Sequence, residues 1–240
     1  MSGGFLSKTW ALVVKDLRLE LRGRDTLPPM IAFAGAVALL LAFSIPSAGA
    51  VSAPGKLAVG SVRLADVLAG FLWVTILFAG LIGFARTFDV EREEGAMDSL
   101  LLAPVDRSGL FFGKALPNLA FIVVVEAILI PLFALLFGVR LATSWPALIL
   151  VTLLTDLGFV AIGTLFSALA AQTKSRELIL PILALPVLVP VFIGAVVLTS
   201  DLFVGGSLGE VAQRGWFVIL ITFDVVFIVV GALLFEFTLQ

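Results

Sequence analysis

The chain has 240 residues, of which 61% are hydrophobic and only 13% charged, with a formal net charge of −2. A soluble domain averages about 25% charged residues, so this composition argues against a soluble globular fold and for a chain built to sit in lipid. There is no Cys, His or Tyr, which excludes disulfides and thiol chemistry and removes the commonest metal ligand and the commonest general base. No metal site and no self-contained catalysis are expected, and no basic stripe suggests a nucleic-acid partner.

Residues 1–25 read as an amphipathic helix. Trp10, Val13, Val14, Leu17 and Leu21 share one face at helical spacing, while Lys8, Lys15, Arg18 and Arg22 populate the other, with Asp16 and Glu20 between. An apolar face with a basic border suits a helix lying in the membrane interface; a helix packed on a partner is the alternative. Leu27-Pro28-Pro29 then opens the first span, since proline is favoured in a helix's first turn.

A spanning helix needs about 20 mostly apolar residues. Six stretches qualify: about 27–45, 64–88, 115–137, 145–171, 178–198 and 216–237. The expected fold is an all-α membrane protein, one transmembrane domain over 1–240, with six spans behind the interfacial helix. Ala48-Gly49-Ala50 resembles a signal-peptidase site, but about 26 residues with acidic as well as basic side chains precede the first apolar run, so that span is expected to stay uncleaved. Lys8, Lys15, Arg18, Arg22, Arg24, Arg86, Arg92, Arg107, Lys114, Lys174 and Arg176 fall on one side of this topology, and Lys56, Arg63, Arg140 and Arg214 on the other. Eleven against four, together all 15 Lys and Arg, places both termini in the cytoplasm. Trp145 and Trp216, each at the outer start of a span, fit an interfacial aromatic belt.

Between the second and third apolar stretches lies a polar island, Phe88-Asp89-Val90-Glu91-Arg92-Glu93-Glu94-Gly95-Ala96-Met97-Asp98-Ser99-Leu100-Leu101-Leu102-Ala103-Pro104. Pro104 disfavours helix at Ala103, and Ser108 suits an N-cap for a helix leading into the third span. Segment 89–114 is therefore expected to form two short helices folded at the cytoplasmic face. Leu100, Leu101 and Leu102 beside a charged rim point to an interface, with a solvated loop as the plain alternative.

Glu126 falls mid-span in the third helix, Asp156 mid-span in the fourth and Asp224 within the sixth; Asp66 lies near the outer end of the second. A carboxylate at mid-bilayer costs about 2.5–3.5 kcal/mol on insertion scales, so these side chains must face protein or water. They read either as a proton or substrate path or as carboxyls hydrogen-bonded across helix contacts. Pro181, Pro186 and Pro190 are expected to break the fifth span, as a moving bend or a fixed kink. Gly109 to Ala115 (Gly-Leu-Phe-Phe-Gly-Lys-Ala) is no phosphate loop: it is one residue short between the glycines, lacks the Ser or Thr that holds magnesium, and follows no strand.

The stretch from Glu91 to Pro104 resembles the cytoplasmic signature of the CcmB family, an acidic run, a Gly and a Leu-rich turn ending in Ser-Pro, with Ala103 here in place of the Ser. Leu185 to Gly194 is similar to that family's proline-broken fifth span, and Lys15 to Arg22 to its entry helix. The resemblance implies a type-2 ABC exporter-like permease subunit of the cytochrome c maturation system, in the inner membrane. It implies a homodimer acting with two ATPase subunits that bind the ATP, a haem-handling membrane subunit and a haem chaperone. It also implies a coupling helix that docks in the ATPase, a role carried to Glu91, Glu93, Glu94, Asp98, Leu100, Leu101 and Leu102. Haem iron usually takes His, Met, Cys or Tyr, and the chain offers only Met1, Met30 and Met97. No directly bound cofactor is therefore expected; haem remains a substrate in passage, or ATP hydrolysis drives release of the haem-loaded chaperone. The alternatives are a type-2 permease for another substrate and an ion-coupled secondary carrier using Glu126, Asp156 and Asp224.

Overall fold

The computed structural model describes residues 5–45, 63–93, 95, 107–139, 145–171, 173 and 176–238. Among them the elements are helices α1 (Phe5–Gly23), α2 (Leu27–Ser44), α3 (Leu64–Ala85), α4 (Asp89–Glu93), α5 (Arg107–Phe137), α6 (Trp145–Ala171), α7 (Arg176–Phe203), α8 (Leu208–Ala212) and α9 (Gly215–Thr238), with no strand. Six of these, α2, α3, α5, α6, α7 and α9, are long and apolar enough to cross a membrane. That matches the six apolar runs of the sequence.

Helix starts are set by carboxylates and prolines. Pro28 and Pro29 occupy the first turn of α2, and the Glu20 carboxylate of α1 accepts from the backbone N–H of Thr26 and Leu27, the latter at 2.7 Å. Those donors have no partner within their own helix, so a neighbouring helix supplies the cap. Asp66 accepts from the Arg63 backbone N–H at the start of α3 (3.2 Å), and Ser207 and Glu210 cap α8 reciprocally. Arg24, at φ 59°, ends α1.

Two expectations change. Of the two short helices expected over 89–114, α4 is one; the helix leading into the third span is not separate from it, since α5 begins at Arg107, eight residues ahead of the apolar run, with Ser108 inside it, and residues 96–106 lie outside the described residues. The reason is packing, because Leu110 and Phe111 are buried with Phe88, Leu165 and Phe235. Pro181, Pro186 and Pro190 lie within one continuous helix, α7, and do not break it. Each proline removes one donor, and the ladder on either side, held by packing against α3, α6 and α9, carries the helix through.

Helix α6 is the hub. Of its most apolar window, 72% is buried inside the protein, against 17% for α2 and α9, and it packs on α3, α5, α7 and α9. Its contact with α3 is a reciprocal exchange of rings and glycines. A Cβ at Gly80 of α3 would collide with the Phe159 ring of α6, and one at Gly163 of α6 would collide with the Phe84 ring of α3. Phe84 and Phe159 meet edge to face with centroids 5.0 Å apart. Small residues that admit a neighbour's bulk are how helices approach closely where lipid supplies no hydrophobic drive between them. Near the middle of α3, the Trp73 indole donates to Thr199 of α7 at 2.9 Å, with both residues fully buried.

Gly163→Ala is therefore expected to overpack the α3–α6 contact and destabilise the protein by about 1–3 kcal/mol, read as a lower unfolding temperature in detergent. Adding Phe84→Leu should recover part of the loss. An unchanged unfolding temperature in Gly163→Ala would contradict the exchange.

Candidate functional site

At the end of the bundle that carries α1, charges from three elements are drawn together. Glu91, on α4, is 3% exposed. Its Oε1 accepts from Lys114 Nζ of α5 at 2.8 Å and from Lys15 Nζ of α1 at 2.5 Å. Lys114 also donates to the Thr87 carbonyl at 3.1 Å and pairs with Asp16 of α1 at 3.0 Å, while Lys15 and Asp16 lie 3.3 Å apart. Two ammonium and two carboxylate groups thus balance within one node. The Lys114 ammonium lies 5.2 Å from the centre of the Phe88 ring, a cation–π contact.

The node continues into the bundle. Thr87 and Asn118 exchange hydrogen bonds, and Asn118 Nδ2 donates to Thr164 of α6 at 3.2 Å. Arg86 donates to the Asp25 carbonyl at 2.6 Å, and with the Glu20 cap this fastens the far end of α1. A polar cleft of about 470 Å³ lies between these elements, lined by Asp16, Glu20, Arg86, Glu91, Lys114 and Asn118 among others.

Electrostatics follow from the geometry. Burial pushes the Glu91 carboxyl up, but Lys114 and then Lys15 outweigh it and hold the group below the usual carboxylate range. Burial likewise opposes charge on Lys15, yet its bond to Glu91 and the charge of Asp16 leave it above the ordinary lysine value. A buried pair of this kind repays its desolvation only if its hydrogen bonds are complete, and removing one partner strands the other. The node ties α1, α4 and α5 together through charge-assisted hydrogen bonds.

Helix α1 presents three faces rather than two. Thr9, Val13 and Glu20 are buried against the bundle, and Leu12 packs on Gly113 of α5. Of the apolar stripe read from the sequence, Val13 and Leu17 pack on protein, whereas Trp10 and Leu21 remain 61% and 75% exposed. Arg18 and Arg22 are exposed on the remaining side.

Glu91 is corrected as a docking residue: its carboxylate is turned inward onto two lysines and offers no surface. Glu93 closes α4, while Glu94, Asp98, Leu100, Leu101 and Leu102 lie outside the described residues. The residues 109–115 are helical within α5, and Lys114 is spent on Glu91, as the absence of a phosphate loop requires. Lys15, Asp16 and Lys114 were not singled out by sequence reasoning. The available signal was a lysine placed at the edge of an apolar run, which is almost never buried unless paired.

The structure brings together the intramembrane acids: Glu126 on α5 and Asp156 on α6 face each other within hydrogen-bonding reach, and Asp224 on α9 is the next charge to Asp156. They are 4%, 0% and 4% exposed. Among the described residues no group of three or more such side chains is placed to hold a metal ion. At the opposite end, Arg63 pairs with Asp66 at 2.8 Å and Asp201 at 3.4 Å, Arg214 pairs with Asp201 at 2.9 Å, and Ser200 donates to Asp66. Below this cluster an apolar groove of about 540 Å³ runs between α3 and α7, lined by Phe71, Val74, Leu185, Val189 and Phe192 among others.

Lys114→Met is expected to destabilise by about 3–5 kcal/mol, because it strands Glu91 in a buried site. Lys15→Met should cost roughly 1 kcal/mol or less, its side chain being 41% exposed. Thermal unfolding in detergent reads both. Because Glu91 titrates lower in the folded than in the unfolded chain, its contribution is present at neutral pH and fades as pH falls through the carboxylate range. Glu91→Gln should lose that part of the acid-side slope; an unchanged slope would contradict the node.

Residues 7–240 match the family described as CcmB protein. The chain is similar to heme exporter protein B of Rhodobacter capsulatus, 31% identical over 186 residues covering 76% of this chain and 78% of that protein. It is 28% identical over 183 residues to heme exporter protein B of Paracoccus denitrificans (76% and 78% covered) and 30% over 185 residues to that of Pseudomonas aeruginosa (76% of each). With the match running over nearly its whole length, the chain belongs to the CcmB protein family.

Proposed function

We propose that this chain is the membrane permease subunit of an ABC transporter for haem export in cytochrome c maturation. A separate ATPase subunit binds and hydrolyses ATP, and this chain converts the resulting movement into a step on the haem pathway. The observation that carries the mechanism is the lock between Glu91 and two lysines, which ties the segment after α3 to α1 and α5. A push on segment 89–114 from a docked ATPase is then transmitted through α5 and Asn118 to α6, the hub of the bundle. Glu93, Glu94, Asp98 and Leu100 to Leu102 supply the docking surface, and Glu91 anchors it from behind.

The α1 end is the cytoplasmic end in this reading, with both termini there and the chain in the inner membrane, because eleven of the 15 Lys and Arg belong to that side. Trp10 and Leu21 face lipid at the interface, with Arg18 and Arg22 at the headgroups. The subunit works as a homodimer beside a haem-handling membrane subunit and a haem chaperone. It holds haem iron weakly or not at all: Met30 is 1% exposed and wedged against Gly83, which leaves its sulfur unable to reach a haem without repacking α2 on α3. An ion-coupled carrier is the second reading, favoured by the meeting of Glu126 and Asp156.

A tagged pull-down from native membranes separates them. The permease reading predicts recovery of an ATPase subunit with haem-handling proteins, lost in Glu93→Lys/Glu94→Lys. Recovery of no ATPase under conditions that preserve ABC complexes would overturn it in favour of the carrier, and an ATPase without haem partners would overturn the haem assignment alone.

A further inference from the structure

Glu126, Asp156 and Asp224 are buried with no cation beside them among the described residues. No N–H or O–H of the described residues other than the pair itself donates to Oε1 of Glu126 or to either oxygen of Asp156, and Asp224 has only the backbone N–H of Gly158 beside it. The nearby hydroxyls of α6 are already used, Thr152 donating to the Ile149 carbonyl and Thr155 to that of Val151. No cation stands at this depth on any packed element. On α5 the cations are Arg107, its first residue, and Lys114, twelve positions from Glu126 (about 18 Å of helix) and held by Glu91 and Asp16. Asp156 is the sole charged residue of α6, and α9 carries only Asp224 and, twelve positions on, Glu236. Helix α2 has none, α3 has Asp66 at its far end on Arg63, and α7 has Arg176 and Glu177 at one end and Asp201, paired with Arg214, at the other.

Two facing carboxyl groups are acceptors only unless one carries hydrogen. With no protein donor and no cation, the hydrogen between Glu126 and Asp156 has to be a bound proton. The place for the third acid is built in as well: a Cβ at Gly158 would lie 2.6 Å from Asp224 Oδ1, so glycine there lets the carboxyl lie against α6. Ionised acids without partners at such depth are not tolerated.

We propose that Glu126 and Asp156 form a proton-binding carboxylic pair in the centre of the bundle, with Asp224 as a further acceptor on α9. The bound proton holds α5 against α6, and its movement toward Asp224 shifts the bond to the α6–α9 contact. The site takes a proton rather than a metal ion, and it belongs to this chain whatever cargo or ATPase the complex handles.

The test is infrared spectroscopy of the full chain in detergent at neutral and mildly alkaline pH, in H₂O and D₂O. The expected result is a protonated-carboxyl C=O band in the wild type that shifts in D₂O. That band should be altered in Asp224→Asn and lost in Glu126→Gln/Asp156→Asn. Absence of the band from the wild type, a measurement needing no variant to fold, would overturn the proposal, as a bound cation would leave only carboxylate bands. Persistence of the band unchanged in a monodisperse Glu126→Gln/Asp156→Asn protein would overturn it equally.

Discussion

A lysine buried beside lipid has to be neutralised where it stands, and Lys114 sets the organisation of the α1 end of this protein. Its ammonium is satisfied by Glu91, Asp16 and the Thr87 carbonyl, groups that belong to α4, α1 and the turn after α3. None of these elements could reposition alone without leaving a buried charge unpaired. The requirement explains why a five-residue helix, α4, is ordered against the bundle, and why α1 lies along α5 instead of standing free. Glu20, by capping α2 from α1, adds a second fastening.

The rest of the bundle is held by different means. Around α6 the contacts are apolar and shape-dependent, with glycines admitting phenylalanine rings and Trp73 reaching Thr199. At the opposite end, Arg63, Arg214, Asp66 and Asp201 form an exposed and screened cluster, weaker than the Lys114 node. The charge pairing is therefore more deeply buried at the α1 end than at the opposite one. The apolar groove between α3 and α7 lies toward that exposed cluster, with Asp66 in its lining.

Much of this architecture was legible in the residues. The six spans follow from run length, α1 from its spacing and the start of α2 from Pro28-Pro29. What was not legible depends on tertiary neighbours. Glu91 looked like one of five acids in the polar island, open to a partner, and only the fold turns it onto Lys114, 23 positions later, and Lys15, 76 positions earlier. The prolines of α7 looked like breaks because local rules count lost donors and cannot see the helices packed against the element. Glu126, Asp156 and Asp224 were visible one by one, but their meeting was not, since it depends on how α5, α6 and α9 are rotated.

The coupling of Glu91 to Lys114 is the claim on which the transmission of movement depends, and a double-mutant cycle measures it directly. Unfolding free energies of the wild type, Glu91→Gln, Lys114→Met and the double variant, taken in one detergent, give the interaction term. A buried lock predicts a coupling of about 1.5 kcal/mol or more, above the 0.2–1 kcal/mol of exposed pairs. Additivity within about 0.5 kcal/mol would mean that the two residues do not act together, and the proposed transmission from segment 89–114 to the bundle could not run through them.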